Sequence, residues 1–453
     1  MEITIHRGTH QIGGCVTEIR VGNERILIDF GANLPGTDDK AKISDTELVD
    51  TFFGEEGSHQ KEKISAVLYT HYHGDHCGLY KEIPEDVPQY IGPVAKQILQ
   101  TVAEYIDKES PKKGQPILNR MKTYSAPEPI LQDDFKEIKV TPFYMDHSAL
   151  DAYMFLIEAE GKKILFTGDF REHGIVGEND RCWRVVKKYI PKNIDLLITE
   201  GTMISRLDEV KKNEIRTEEE LGKESANIFS EHRYNYVLVS STNLDSIMEF
   251  YHNTPKDRMF VCDFYQAKLM LIAMKGMKKK GYYSLYRPSK HHQVIYLVDY
   301  SEEKEAILKA LMEDLDFHLE WKACSIRELK KNGFVMLVRK NSYPEGGKNR
   351  FEKIRDAIGK KDSNIVYSMW KGYLEGDKQD KAVTDFLEGY DYDLLHTSGH
   401  AYVETIAELA KIVDPKKIIP MHTESPEAFL ELPALAEFKE RIKVIEDREV
   451  FRF

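Results

Sequence analysis

The sequence has no run of about 18 uninterrupted apolar residues, so no membrane span is expected. Its first residues, Met1 to Arg7, lack the charged-then-apolar pattern of an export signal and read as a strand that starts at once. Cysteine is scarce. The five present (Cys15, Cys77, Cys182, Cys262, Cys324) are scattered and form no Cys-x-x-Cys pair. That argues against a disulfide framework and for reduced thiols in the cytoplasm. A net charge of -12 argues against indiscriminate coating of nucleic acid, while leaving room for a local basic groove. No internal repeat and no low-complexity linker is found.

At 453 residues, 41% hydrophobic, with 24 Tyr and 20 Phe, the chain can build two or three domains with real cores. Its densest chemistry follows the apolar run Ile64 to Leu68, where His71, His73, Asp75 and His76 fall within six positions. Imidazoles and a carboxylate at this spacing suit zinc or a similar borderline ion, and ligands this dense can serve two ions side by side.

The same device recurs. Arg25 to Gly31 reads as a buried strand closing on Asp29, which serves equally as a turn cap or as a functional side chain. Phe135 to Phe143 runs into Asp146-His147-Ser148, Lys163 to Phe166 closes on Gly168-Asp169, and Asp195 to Thr199 closes on Glu200. Side chains leaving neighbouring strand ends share one rim, so these groups can converge.

This set resembles the metallo-β-lactamase fold. The resemblance implies an αββα sandwich with a dinuclear metal site at one edge. His71, His73 and His147 would bind one ion, Asp75 and His76 the other, and Asp169 would bridge them. Asp29 would steady the ligand loop from behind.

From about Leu207 the chain turns strongly charged (Asp208-Glu209-Val210-Lys211-Lys212), and Thr217 with Glu220 fits a helix capping box. Strands at 236–241, 258–262, 293–298, 334–338 and 364–368 then alternate with helical patterns such as 246–252 and 302–313. That rhythm predicts an inserted α/β unit with a mostly parallel sheet. Chemistry returns in Asp391 to Ala401 and in Lys417 to Glu424, where His422 ends a strand as His71 does. His422 would complete the second ion's ligands.

A metallo-β-lactamase domain interrupted by an α/β insert and closed by Ser398-Gly399-His400-Ala401 and Pro420-Met421-His422 resembles the β-CASP nucleases, the RNase J group in particular. The expected division is residues 1–206 and 389–453 for the metallo-β-lactamase domain and 207–388 for the insert. Glu200 stands where RNase J proteins usually carry Asp, and Tyr72 and Thr423 also depart from the common motifs.

The resemblance implies a ribonuclease that attacks RNA 5′-3′, internally or both, with a hydroxide shared by two divalent ions, zinc first and manganese second. Asp75, Glu200 and His400 would carry the catalysis, with Glu200 orienting His400 as the donor to the leaving oxygen. The nucleic acid would lie between the two domains, its phosphate held by Ser240, Ser241, His396, Ser398 and Gly399. A basic cluster (Lys275, Lys278, Lys279, Lys280, Arg287, Lys290) reads either as a nucleic-acid contact or as a solvated face. RNA is favoured over DNA, a homodimer is compatible, and no membrane partner is expected. A DNA-directed β-CASP nuclease and a small-molecule ester or amide hydrolase are the alternatives.

Overall fold

The computed structural model describes residues 1–37, 41–106, 110–130, 136–207, 215–282, 285–339, 349–376 and 379–453. The charged run Asp208 to Lys212, Lys108 at the end of the helix that the sequence predicts over about Val94 to Lys108, and Phe135 at the start of an expected strand lie outside them. The chain divides into two compact units, Met1–Asn213 with Gly399–Phe453, and Glu214–Ser398. No described helix is long and apolar enough to cross a membrane.

In chain order the first unit carries β1 (Glu2–Arg7), β2 (Val16–Val21), β3 (Glu24–Ile28), β4 (Ala66–Leu68), β5 (Gln89–Ile91), β6 (Lys122–Thr123), β7 (Lys139–Met145), β8 (Ala152–Ala159), β9 (Lys162–Phe166) and β10 (Leu196–Glu200). The second carries β11 (Tyr234–Val239), β12 (Met259–Cys262), β13 (Val294–Leu297), β14 (Glu320–Ala323), β15 (Phe334–Val338), β16 (Ser363–Ser368) and β17 (Tyr392–Leu394). Two strands, β18 (Ile418–Met421) and β19 (Val450–Arg452), return to the first.

The first unit is the expected two-sheet sandwich. One sheet runs β19-β1-β2-β3-β4-β5-β6 and the other β18-β10-β9-β8-β7. Strand periodicity explains how they pack. Tyr153, Phe155 and Ile157 of β8 face the core between the sheets, while Met154 and Leu156 face a second core. β9 and β10 divide the same way, with Leu165 and Leu197 on the outer side. That outer core is closed by helices Arg181–Tyr189 and Val403–Val413 through Trp183, Val186, Ile406 and Leu409. Strands buried on both faces need continuous apolar runs. Each such side chain contributes about 1.5–3 kcal/mol.

The second unit is one sheet ordered β14-β13-β12-β15-β11-β16-β17, and every described pairing in it is parallel. The capping box forms as expected: Thr217 Oγ1 accepts from Glu220 N at 3.1 Å, and Glu220 Oε2 accepts from Thr217 N at 3.1 Å. Both boundaries differ from expectation. The first unit is assigned through Asn213 instead of residue 206, and Tyr392–Leu394 hydrogen-bonds to β16, so the chain stays with the second unit through Ser398 instead of leaving it at residue 388. A short strand's allegiance is set by its ladder partner, which lies elsewhere in the sequence.

Candidate metal centre

Every residue of the expected ligand set, and Asp29 expected behind it, lies beyond the C-terminal end of a strand in the first unit. Asp29 follows β3, His71 to His76 follow β4, His147 follows β7, Asp169 follows β9, and His422 follows β18. Asp29 and His422 hold left-handed backbone, φ 60° and 51°. Such a turn costs about 1–3 kcal/mol and is held where the surroundings over-determine it. Here it bends the chain off the strand at the site.

The turn carrying Asp75 and His76 is seated by main-chain bonds. Cys15 N donates to Asp75 O at 2.9 Å, Phe30 N to His76 O at 2.8 Å and Ala32 N to Gly74 O at 2.9 Å. Gly31 makes this approach feasible, because a Cβ there would sit 1.8 Å from Asp75 O.

The donors converge on Asp169 Oδ2. His76 Nε2 lies 3.1 Å from it, His400 Nδ1 3.6 Å, His422 Nε2 3.7 Å, His71 Nε2 3.9 Å and His147 Nε2 4.0 Å. His73 joins through Nδ1, 3.3 Å from His147 Nε2, and Asp75 Oδ2 lies 3.2 Å from His422 Nε2. Donor atoms of His71, His73 and His147 fall within 4.8 Å of one another, as do those of His71, His76 and Asp169.

The environment fits divalent cations. His71 Nε2, His76 Nε2 and both Asp169 oxygens are buried without a hydrogen-bond partner, the 3.1 Å approach of His76 to Asp169 lacking the alignment of a hydrogen bond. Buried polar atoms left unpaired are costly, and a bound ion removes that cost.

The outer contacts decide which nitrogen faces inward. His76 Nδ1 lies 2.8 Å from Asp29 Oδ2 and His147 Nδ1 2.5 Å from Gly399 O, so each donates outward and turns Nε2 to the centre. Thr70 Oγ1 lies 2.9 Å from Asp29 Oδ2 and 3.0 Å from His71 Nδ1. An ionised carboxylate only accepts, so the threonine proton goes to Asp29 and the oxygen accepts from His71 Nδ1–H.

Burial pushes the His71 and His147 imidazoles well below their usual range and His73 to about 4, which keeps them in the neutral form that ligates metal. Burial opposes charge on His76 as well, but Asp169 and Asp29 outweigh it and raise its pKa. Burial would raise the Asp169 carboxyl, yet His422, His76 and His400 bring it well below the carboxylate range.

Glu200 and His400 also meet. Glu200 Oε2 lies 3.0 Å from His400 Nδ1, and Oε1 accepts from Phe170 N at 2.9 Å and Ala401 N at 3.3 Å. Burial opposes charge on His400, but Glu200 and Asp169 outweigh it and raise its pKa.

Of the expected phosphate-binding residues, Gly399 sits in the first unit, and Ser240, Ser241, His396 and Ser398 in the second. The two stretches of the second unit are linked by Glu218, a fully buried carboxylate that sequence reasoning missed. Its oxygens accept from Thr397 Oγ1 at 2.6 Å and Ser246 Oγ at 2.9 Å, and Asn243 Nδ2 donates to Ser246 Oγ at 2.9 Å. Ser241 Oγ and Ser368 Oγ are buried there without partners. In the basic cluster, Lys275 and Lys278 are paired with Asp314 (2.9 Å) and Asp316 (3.0 Å), which offsets part of its charge.

Tyr72 and Thr423, the motif departures besides Glu200, serve as ties. Tyr72 OH accepts from Leu150 N at 3.1 Å, joining the His71 loop to the His147 loop, and Thr423 Oγ1 lies 2.8 Å from Ser205 Oγ. Sequence reasoning also passed over Thr70, Thr202 and Cys15. Cys15 shares a 4.8 Å donor cluster with His76 and His422. The adjacency of Thr70 to His71, and of Thr202 to Glu200, was the available signal.

The metallo-beta-lactamase superfamily model matches residues 16–210, and the model of the Zn-dependent metallo-hydrolase RNA specificity domain matches residues 392–451. The chain carries both domains. The metallo-β-lactamase match spans Asp29, the His71–His76 loop, His147, Asp169 and Glu200, and the RNA specificity match spans His396 to His422.

Ribonuclease J of Helicobacter pylori (strain B128) is 22% identical over 449 residues, covering 94% of this chain and 56% of that protein. Ribonuclease J of Mycoplasma genitalium is 27% identical over 206 residues (43% of this chain, 32% of that protein). An RNase J-like protein of Methanocaldococcus jannaschii is 25% identical over 211 residues (46% and 44%). The chain thus spans about half or less of the length of these relatives. A crystal structure of a protein of unknown function from Enterococcus faecalis V583 shares the fold, with TM-score 0.72 and 21% identity over 99% of both chains.

Proposed function

We propose that the chain is a metal-dependent ribonuclease of the RNase J kind, hydrolysing RNA phosphodiester bonds at a site for two divalent ions, zinc first and manganese second. The observation that carries this reading is the convergence of five imidazole nitrogens within 4.0 Å of Asp169 Oδ2, in a chain that also carries an RNA specificity domain.

His71, His73 and His147 would hold one ion, Asp75, His76 and His422 the other, with Asp169 between them. Bound there, such ions supply Lewis-acid stabilisation of phosphate charge and water activated near neutral pH. The remaining chemistry belongs to side chains. Asp75 and Asp169 keep the nucleophile's surroundings anionic and ordered, and Asp29 fixes His76. His400 is 20% exposed at its side chain, unlike the fully buried His71 and His147, so a substrate can reach it. Its Nδ1–H is held by Glu200, which leaves Nε2 to give a proton to the departing oxygen.

In the second unit, Ser240 and Ser241 follow β11 and precede helix Leu244–His252, where hydroxyls and main-chain N–H groups suit a phosphate. The partnerless Ser241 hydroxyl and the Glu218 link to the 396–398 turn support that assignment.

The test incubates zinc- or manganese-loaded protein, beside Asp75→Ala, with end-labelled single-stranded RNA and DNA carrying 5′ monophosphate or 5′ hydroxyl. RNA cleavage lost in Asp75→Ala is expected. Mononucleotides released from 5′-monophosphate RNA alone would assign a 5′-3′ exonuclease, and internal fragments regardless of the 5′ end an endonuclease. Cleavage of DNA alone would redirect the assignment to a DNA nuclease. No cleavage of either strand by fully loaded protein would overturn the reading in favour of a small-molecule ester or amide.

A further inference from the structure

We propose that Thr202 is a positioning residue that fixes which nitrogen His422 presents to the metal centre, and so governs the cation position formed by Asp75, His76 and His422. The proposal rests on the two-cation reading above. Thr202 is fully buried, two residues beyond the end of β10, and His422 is one residue beyond the end of the neighbouring parallel strand β18.

Thr202 Oγ1 lies 2.7 Å from His422 Nδ1 and 3.2 Å from the His422 carbonyl oxygen. A hydroxyl has one proton, and a carbonyl can only accept. One assignment satisfies both contacts: Thr202 donates to the carbonyl and accepts from Nδ1–H. That leaves the lone pair on His422 Nε2, the nitrogen 3.2 Å from Asp75 Oδ2 and 3.7 Å from Asp169 Oδ2. The opposite tautomer would put a hydrogen where a cation must bind.

The surroundings hold this contact in place. His422 stands in left-handed backbone at φ 51°, and its N–H donates to Gly8 O at 2.7 Å. Thr202 opens the short 3₁₀ turn Thr202–Arg206, which is stitched to the β18 exit where Glu424 N donates to Ser205 Oγ at 2.9 Å. Gly201 lets the two strand exits close: a Cβ there would lie 2.5 Å from the Phe429 ring and 3.1 Å from Thr423 Cβ. The device parallels Thr70 at His71, but with a main-chain carbonyl in place of the Asp29 carboxylate as the proton's destination.

The experiment compares metal-stripped wild type, Thr202→Val and Thr202→Ser by zinc titration against a chelator of known affinity, with melting temperatures of the metal-free proteins. Wild type should take two equivalents. Thr202→Val, which keeps the shape and loses the hydroxyl, should keep the first and bind the second about 10–100-fold more weakly. Thr202→Ser should restore wild-type binding.

Thr202→Val binding two equivalents at wild-type affinity would overturn the proposal, as would Thr202→Ser binding as weakly as Thr202→Val. Wild type binding fewer than two equivalents would instead overturn the two-cation reading. A readout independent of the variants is the ¹⁵N spectrum of His422 in zinc-loaded wild type. Protonated Nδ1 with ligated Nε2 supports the proposal, and the reverse overturns it even where Thr202→Val fails to fold.

Discussion

Asp29 Oδ2 lies 2.8 Å from His76 Nδ1, a contact between residues 47 positions apart. The same carboxylate accepts from Thr70 N at 2.7 Å and from the Thr70 hydroxyl, whose oxygen in turn faces His71. One buried acid therefore orients two imidazoles. Support of this kind sets ligand basicity and ring direction. Asp29→Asn should lower metal affinity about 10–100-fold, measured by chelator competition. Unchanged affinity would reduce Asp29 to a turn cap.

His400 should be separable from metal binding. It approaches Asp169 at 3.6 Å but spends Nδ1 on Glu200. His400→Ala is expected to keep both metal equivalents by elemental analysis while turnover of RNA falls about 10²–10⁴-fold. A variant turning over at the wild-type rate removes His400 from the reaction.

Gly31 tests how tightly the ligand turn must be seated. The clash at 1.8 Å is with main chain, which cannot rotate away. Gly31→Ala should destabilise the protein by at least about 2–3 kcal/mol and release metal, read as a fall in melting temperature and in bound zinc. Wild-type values for both would show that the turn can move.

Acid sensitivity has a contributor far from the metal centre. Burial would raise Glu18, but hydrogen bonds from His6 (2.9 Å) and Arg25 (2.6 Å) outweigh it and bring its pKa from 4.5 to about 2. A carboxyl depressed in the fold stabilises above its unfolded pKa, and that contribution is lost as pH falls through about 4.5 towards 2. Glu18→Gln should thus lower the melting temperature at pH 7, with a ceiling of about 3 kcal/mol, and the gap to wild type should narrow as pH falls below about 4.5 and close only below about 2. A gap that stays constant from pH 7 down to that point would mean the loss is one of packing.

The sequence by itself determined the strands and the donors. Apolar runs of Ile, Leu, Val and Phe ending in Asp29, His71, His147, Asp169, Glu200 and His422 are local patterns, and strands buried on both faces require them. Donor identity is likewise a property of residue type. Tertiary structure decided what depends on distant partners. Asp29 was equally a cap and a support until its contacts with Thr70 and His76 made it both. Thr202 had only its nearness to Glu200 as a signal and Glu218 had none, because a hydroxyl or a carboxylate shows its use only through the group it faces, 220 positions away for Thr202 and 179 for Glu218. The unit to which Tyr392–Leu394 belongs was likewise chosen by its pairing with β16. Periodicity and side-chain chemistry are local and can be read along the chain, whereas ladder partners, proton destinations and the choice of imidazole nitrogen arise from contacts that form only once the chain has folded.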